Sequence, residues 1–289
     1  MKRFFLYILF FGAISTVFVE RQVYCTDNNR FQKRHASEKK LVVIIPSYNN
    51  AQWYKKNIDS VLSQKYANYC VLYIDDCSPD KTGKLVKKYL SEKDTYNRVK
   101  LIQNKKRVGA MANWYTAIHS CADSDIIVSL DGDDWFAHDT VLQRINKEYS
   151  DPHVWLTYGN YVTWPRESKG VCKPIPSFIC WSNLFRNYPW VSTHLRTFYA
   201  ALFKKIDKND LMDNGVFLSV LCDWAMMYPM LEMAGKHICF ISDVLYVYNT
   251  GNPINDSKVD LQKMLYYERV IRTKSRYRSL QGELLFKKG

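Results

Sequence analysis

Asp131-Gly132-Asp133-Asp134 sets three carboxylates within four residues, directly after the apolar run Ile126-Ile127-Val128-Ser129-Leu130. Like charges held this close repel one another, so a fold keeps them together only where solvent or a cation compensates them. At the end of a strand they offer hard oxygen ligands along one sheet edge, which suits Mg²⁺ or Mn²⁺ carrying a diphosphate. A solvated acidic turn is the plainer alternative, and the neighbouring elements have to decide between the two.

Those elements follow a βα rhythm. Leu41-Val42-Val43-Ile44-Ile45 reads as a buried strand closed by Pro46-Ser47-Tyr48-Asn49-Asn50, and Trp53, Asn57, Ile58, Val61 and Leu62 recur at helical spacing after it. Tyr69 to Ile74 makes a second strand that stops at Asp75-Asp76, and Leu85, Val86, Tyr89 and Leu90 mark the next helix. Val99 to Ile102, Gly109 to Cys121 and Ile126 to Leu130 continue as strand, helix and strand. The alternation predicts an α/β fold with a mostly parallel sheet and helices on both faces, where ligands bind beyond the carboxyl ends of the strands. Pro46 to Asn49, Asp75-Asp76 and Asp131 to Asp134 are therefore expected to line one crevice. The first turn lacks Gly-x-Gly-x-x-Gly, which disfavours a dinucleotide-binding dehydrogenase.

After about residue 150 the rhythm weakens into a smaller mixed region. Val154 to Tyr158 and Tyr161 to Trp164 read as two strands, Pro165 to Pro189 as a loop, Gly215 to Ala234 as a helix, and Ile238 to Ile241 and Val244 to Tyr248 as strands. Val259 to about Leu280 predicts a basic amphipathic helix.

The chain of 289 residues is 47% hydrophobic and 24% charged, enough to bury a sizeable core. Its net charge of +13 favours anionic partners, a nucleotide diphosphate or an acidic membrane surface among them. The basic residues are spread out and no zinc-finger or Gly-Lys-Ser/Thr spacing occurs, so no nucleic-acid partner is expected. The eight cysteines form no Cys-x-x-Cys pair and read mostly as small core residues. Cys172 and Cys180 flank a proline-containing loop and are a candidate disulfide in an oxidising compartment.

Met1-Lys2-Arg3 followed by apolar Phe4 to Val19 reads as a signal peptide or a short membrane anchor over residues 1–25, ahead of a polar linker over 26–40. The protein is accordingly expected to be membrane-associated or exported. Orientation stays open, with the cytoplasmic face as the alternative, because Arg21, Arg30, Lys33 and Arg34 rival Lys2 and Arg3.

Taken together, four pieces resemble the family 2 glycosyltransferases of GT-A fold. They are Val43-Ile44-Ile45-Pro46-Ser47-Tyr48-Asn49, Ile74-Asp75-Asp76-Cys77-Ser78-Pro79-Asp80, Asn104 with Gly109 to Asn113, and Leu130-Asp131-Gly132-Asp133-Asp134-Trp135. The likeness covers residues 41–250, with 41–135 as the nucleotide-sugar half, 136–250 as the acceptor half, and 251–289 left as a basic helix and tail. It implies transfer of a sugar from a nucleotide-diphosphate donor to an acceptor hydroxyl on a glycan, lipid or protein, with inversion and in one displacement. Pro46, Ser47, Tyr48, Asp76 and Asn113 match the nucleotide-binding positions. Asp131 and Asp133 match the D-x-D pair, with Asp133 the metal ligand and Asp131 nearer the ribose or the metal, Mn²⁺ or Mg²⁺.

By the same resemblance Asp223, in Cys222-Asp223-Trp224, matches the general base, although the glutamate usual before it is absent. Glu232 and Asp213 are weaker competitors for that role. Asp134 and Arg196 are expected near the diphosphate or the donor sugar, and His194 reads more simply as a structural residue. The Ala-Arg-Asn of the third helix is Met111-Ala112-Asn113 here, which leaves Lys106 or Arg107 to supply the missing basic contact. No Gln-x-x-Arg-Trp signature occurs, which argues against a processive polysaccharide synthase. The competing expectations are an inactive relative that binds sugar or membrane, and a nucleotidyltransferase.

Overall fold

The computed structural model describes residues 38–254 and 261–280. The hydrophobic segment 1–25, most of the linker, residues 255–260 and the tail beyond Leu280 lie outside the described residues.

Along the first half β1 (Leu41–Ser47), α1 (Tyr54–Leu62), β2 (Tyr69–Asp75), α2 (Thr82–Lys93), β3 (Val99–Gln103), α3 (Ala110–His119) and β4 (Ile126–Ser129) alternate as the pattern predicts. Leu41 to Ile45 are each no more than 2% exposed, as a strand covered on both faces must be. β1 pairs in parallel with β2 on one side and β4 on the other, with Ser47 opposite Asp75 and Ile44 opposite Ser129. The turns that follow these strands therefore meet at one edge of the sheet, and the three sequence motifs with them.

The second half adds β5 (Trp135–Phe136), α4 (Val141–Glu148), β6 (Leu156–Trp164), α5 (Ser177–Trp181), β7 (Arg196–Tyr199) and α6 (Ala200–Phe203). A hairpin of β8 (Met212–Asp213) and β9 (Val216–Phe217), then α7 (Cys222–Ala234), β10 (Ile238–Asn249) and α8 (Leu261–Thr273) complete the described elements. The main sheet runs β3-β2-β1-β4-β7-β6-β10-β5. Its pairs are parallel except where β7 and β5 enter antiparallel, so the later strands extend the same sheet.

Five expectations change. Residues 156–164 form one strand, and 238–249 form one strand that absorbs register shifts between Ile241 and Tyr246. The helix expected from Gly215 starts only at Cys222, because Val216-Phe217 closes the hairpin and Leu221 turns left-handed at φ 54° just before the helix. α8 stops at Thr273, and the chain runs on to Leu280 without regular structure. Cys172 and Cys180 are both free and buried, the Cys172 thiol facing Thr193, so they serve as core residues and not as a bridge.

α8 is fastened to the domain by a buried ion pair. Arg186 grips Glu232 through Nε at 2.6 Å and Nη2 at 2.9 Å, and donates from Nη1 to the Ile271 carbonyl at 2.5 Å. Glu232 also accepts from the Tyr277 amide at 3.0 Å. Three basic residues of α8 and the chain after it bond the domain. Arg272 donates to the Arg186 and Tyr188 carbonyls, Lys274 to those of Asn209 and Met212, and Arg276 to Asn187. Removing one partner of a buried pair strands the other charge. Glu232→Ala is therefore expected to lower the unfolding free energy by about 3–5 kcal/mol, measured by urea denaturation, and an unchanged midpoint would show that the pair does not fasten α8.

Candidate active site

The turns after β1 and β4 interlock before any side chain reaches solvent. The Gly132 amide donates to the Pro46 carbonyl at 3.2 Å. A Cβ on Gly132 would lie 2.7 Å from Asn50 Nδ2 and 2.8 Å from the Ser47 side chain, so only glycine lets the two turns close. Asn57 of α1 then donates to the carbonyls of Asp131 and Asp134 at 3.0 and 2.7 Å. Ser47 is held in turn by the Tyr73 hydroxyl at 2.9 Å and by Asn50 Nδ2 at 3.0 Å.

The end of β10 locks the acidic loop from the other side. Asp134 is fully buried and accepts from the Tyr246 hydroxyl and the Asn249 amide, both at 2.6 Å. The same hydroxyl accepts from the Asp131 amide at 3.2 Å. Asn249 Nδ2 reaches the Asp133 carbonyl at 3.1 Å, and Asn252 Nδ2 bonds the Asp133 carboxylate at 2.7 Å. Both oxygens of Asp134 are thus engaged by β10, which makes it a tether of the loop.

Burial pushes all three carboxyls upward: Asp133 to about 6 with Asp131 adding repulsion, Asp134 well above the carboxylate range, and Asp131 upward against the opposing pull of Arg196. Oxygen donors that are short of positive charge fit a divalent cation. Asp131 and Asp133 are the residues that could hold it. Ligand atoms of Asp131, Asp134 and His194 also lie within 4.8 Å of one another, although Asp134 already serves β10.

Arg196, at the start of β7, spans from this loop to α7. Its Nη1 lies 2.8 Å from Asp223 Oδ2, and its Nη2 3.7 Å from Asp131 Oδ2. His194 stacks on Tyr246 at 4.4 Å and on Tyr248 at 5.1 Å between ring centroids. Burial first, and then Arg196, hold its pKa well below the usual value, so the ring is neutral. Asp223 stands in the first turn of α7, placed there by the left-handed residue Leu221. Neither competitor for its role is available: Glu232 is consumed by Arg186, and Asp213 sits on the hairpin accepting from Tyr266.

On the far side Asp76 accepts from Asn104 Nδ2 at 2.7 Å and from the amides of Val108 and Gly109 at 2.9 and 2.8 Å. It thereby fixes the turn into α3, whose Gly109 adopts φ 91°. A carboxylate has about four acceptor positions, so room remains for one bond from a nucleotide base. Asn104 also donates to Asn113 Oδ1 at 2.8 Å. Arg107 lies 3.8 Å over the Tyr48 ring, a cation on an aromatic face beside the same turn.

All of the residues expected at the site line one cavity of about 940 Å³: Pro46, Ser47, Tyr48, Asp76, Asn113, Asp131, Asp133, Asp134, Arg196 and Asp223. Arg107 lines it too, and Lys106 does not figure in its wall. A smaller cavity of about 470 Å³, walled by Trp135, Trp164 and Lys56, holds none of these groups. Sequence reading missed Tyr246, Asn249, Asn252 and Asn57. The spacing of Tyr246, Asn249 and Asn252 was the available signal, but it falls at the close of a strand and carries no motif of its own.

A curled, mostly parallel sheet with an acidic turn at the strand ends is the GT-A glycosyltransferase arrangement, and the chain matches solved structures of that fold. The UDP complex of TarS from S. aureus superposes with TM-score 0.54 and 19% identity, over 74% of this chain and 61% of that one. The mannosyltransferase PcManGT from Pyrobaculum calidifontis, in complex with GDP-Man and Mn²⁺, gives TM-score 0.54 and 17% identity, over 83% and 66%. The sequence model of glycosyl transferase family 2 matches residues 42–210, and the chain belongs to that family. The glycosyltransferase GlyA of Streptococcus pneumoniae serotype 4 is 29% identical over 132 residues, a stretch that is 46% of this chain and 18% of that protein.

Tyr246→Phe deletes one of the two donors that hold the buried Asp134. A loss of about 1–3 kcal/mol is expected in chemical unfolding. An unchanged stability would mean that the loop does not depend on this hydroxyl.

Proposed function

We propose that this chain transfers a glycosyl group from a nucleoside-diphosphate sugar to an acceptor hydroxyl, with inversion and without processivity. One observation carries the reading: the residues matching base recognition, diphosphate neutralisation and proton removal share a single cavity, with Arg196 spanning from Asp131 to Asp223. The bound UDP in one structural neighbour, and the GDP-Man with Mn²⁺ in another, support a donor of this class.

In this reading Tyr48 and Asp76 receive the nucleotide, and Asp131 and Asp133 face its diphosphate. Mn²⁺ or Mg²⁺, when bound, supplies Lewis-acid neutralisation of the departing diphosphate. Asp223 Oδ accepts the proton of the attacking hydroxyl, and Arg196 orients that carboxylate through its 2.8 Å bond. The rigid mooring of the loop by β10 means that its carboxylates need little rearrangement as charge grows on the leaving group.

Two outcomes follow. Asp223→Asn keeps the shape and removes the base, so release of UDP or GDP from a donor panel with Mn²⁺ should fall by about 10²–10⁴, whereas unaffected turnover would remove Asp223 from the role. A binding-only relative would instead bind donors without turnover across the whole panel.

Burial, with repulsion from Asp131, pushes the Asp133 carboxyl up to about 6. A proton and a cation compete for the same carboxylate, so Mn²⁺ affinity should be highest above pH 6 and weaken as pH falls through it. The limiting slope is about tenfold per pH unit for one displaced proton, read by titration calorimetry. The Asp133→Asn chain should bind weakly at every pH, and a wild-type affinity independent of pH between 5 and 7 would exclude Asp133 as a ligand.

A further inference from the structure

Asp223 stands where a helix is least able to keep a side chain still. The first four amides of a helix have no intrahelical carbonyl to bond, and Leu221, in the capping position before α7, makes no side-chain bond to them. Its left-handed φ of 54° aims the first turn without fastening it. Arg196 holds the carboxylate from the side of β7, and the backbone of the turn needs an anchor of its own.

The next residue supplies one. The Trp224 indole stacks on that of Trp190, with 4.8 Å between ring centroids and 26° between planes. The Arg272 guanidinium of α8 lies over the same Trp224 ring at 4.9 Å. Tyr228, farther along α7, lies 5.2 Å from Trp190 and 5.6 Å from the same guanidinium. Arg272 is fixed in turn, because Glu268 accepts from its Nε at 2.9 Å and the carbonyls of Arg186 and Tyr188 accept from Nη1 at 2.6 and 3.3 Å. One cation therefore grips both the Trp224 ring and the segment that carries Trp190. Successive helical residues point about 100° apart, so a fixed Trp224 sets the direction in which Asp223 leaves the helix.

We infer that Trp190 and Arg272 are positioning residues for proton removal: acting through Trp224, they hold the first turn of α7 so that Asp223 faces the cavity while bonded to Arg196. The inference rests on the proposed reading of Asp223 as the base. Trp224 lines the cavity, whereas Trp190 and Arg272 lie outside its wall and act on Asp223 from behind. A base displaced by about 1 Å can lose about 10²-fold in rate, which gives so remote a pair its leverage.

Amide hydrogen exchange of the full chain, read by mass spectrometry, follows the turn directly. Exchange over residues 223–226 should be at least tenfold faster in Trp190→Ala and in Arg272→Gln than in the wild type, and close to wild type in Trp190→Phe, which keeps a ring to stack. Exchange in β1 should not change, which separates a loosened turn from a loosened fold. With the donor panel and Mn²⁺, kcat should fall at least tenfold in Trp190→Ala at unchanged donor KM, since Tyr48, Asp76, Asp131 and Asp133 are untouched. In the Asp223→Asn background the same substitution should lower the rate no further. Wild-type exchange over 223–226 in both variants overturns the inference, as does faster exchange with wild-type kcat, or a second full drop in the Asp223→Asn background. Asp223→Asn alone reports on the base, so failure of that reading is told apart from failure of this one.

Discussion

The buried Asp134 carboxylate, held by the Tyr246 hydroxyl and the Asn249 amide at 2.6 Å each, ties the end of β4 to the end of β10. The rest of the site hangs on that tie. The two strands are not neighbours in the sheet, since β7 and β6 lie between them. Together with the Asn57 bonds and the pairing of β5 with β10, the tether keeps the acidic loop from spreading its charges into water. Asp131 and Asp133 are thereby fixed in a cavity where desolvation, with repulsion from Asp223 on the first and from Asp131 on the second, raises their proton affinity. A buried ionised group is tolerated only with partners, and the structure supplies some of them from asparagines: Asn249 on the Asp133 carbonyl and Asn252 on its carboxylate.

The two halves of the sheet contribute different things. The parallel half, β3-β2-β1-β4, brings three turns to one edge because its strands all run in the same direction, with β1, β2 and β3 ending in register. The antiparallel entry of β7 has the opposite consequence for its own first residue. Because β7 runs against β4, its beginning, not its end, reaches the ligand edge, and that beginning is Arg196. A cation is thereby delivered to the carboxylates by topology alone. One step further on, α7 begins at the same cavity and brings Asp223 within 2.8 Å of that cation.

What the residues disclose on their own follows the same division. The first half was legible because a parallel strand is a continuous apolar run and its closing turn is polar, so Leu41 to Ile45 followed by Pro46 to Asn49 marks both the strand and its mouth. Asp76, Asp131, Asp133 and Asp223 were legible because their types and order match a family pattern, and the fold brings them to one cavity. The start of α7 was not, because apolar residues run from Val216 through Leu221 and periodicity cannot separate a hairpin from a helix there. Nor could the tethers be read. Tyr246 looks like one more aromatic residue of a strand, and its role exists only through a partner that lies 112 positions away in the chain.

Charge bookkeeping at the site has a consequence for the order of events. Asp131 and Asp223 share the guanidinium of Arg196, Arg107 and Lys263 also line the cavity, and His194 adds no charge because burial keeps it neutral. A diphosphate entering this cavity alone would meet repulsion in a medium that screens poorly. The same diphosphate entering with a divalent cation meets oxygen ligands already in place. In the proposed reading the clustered carboxylates of the acidic loop thus disfavour the bare nucleotide and favour the metal-bound one. The same clustering explains why Arg196 is held by Asp223 and Asp131 together. A guanidinium shared between Asp223 and the acidic loop lowers the repulsion between them without neutralising either.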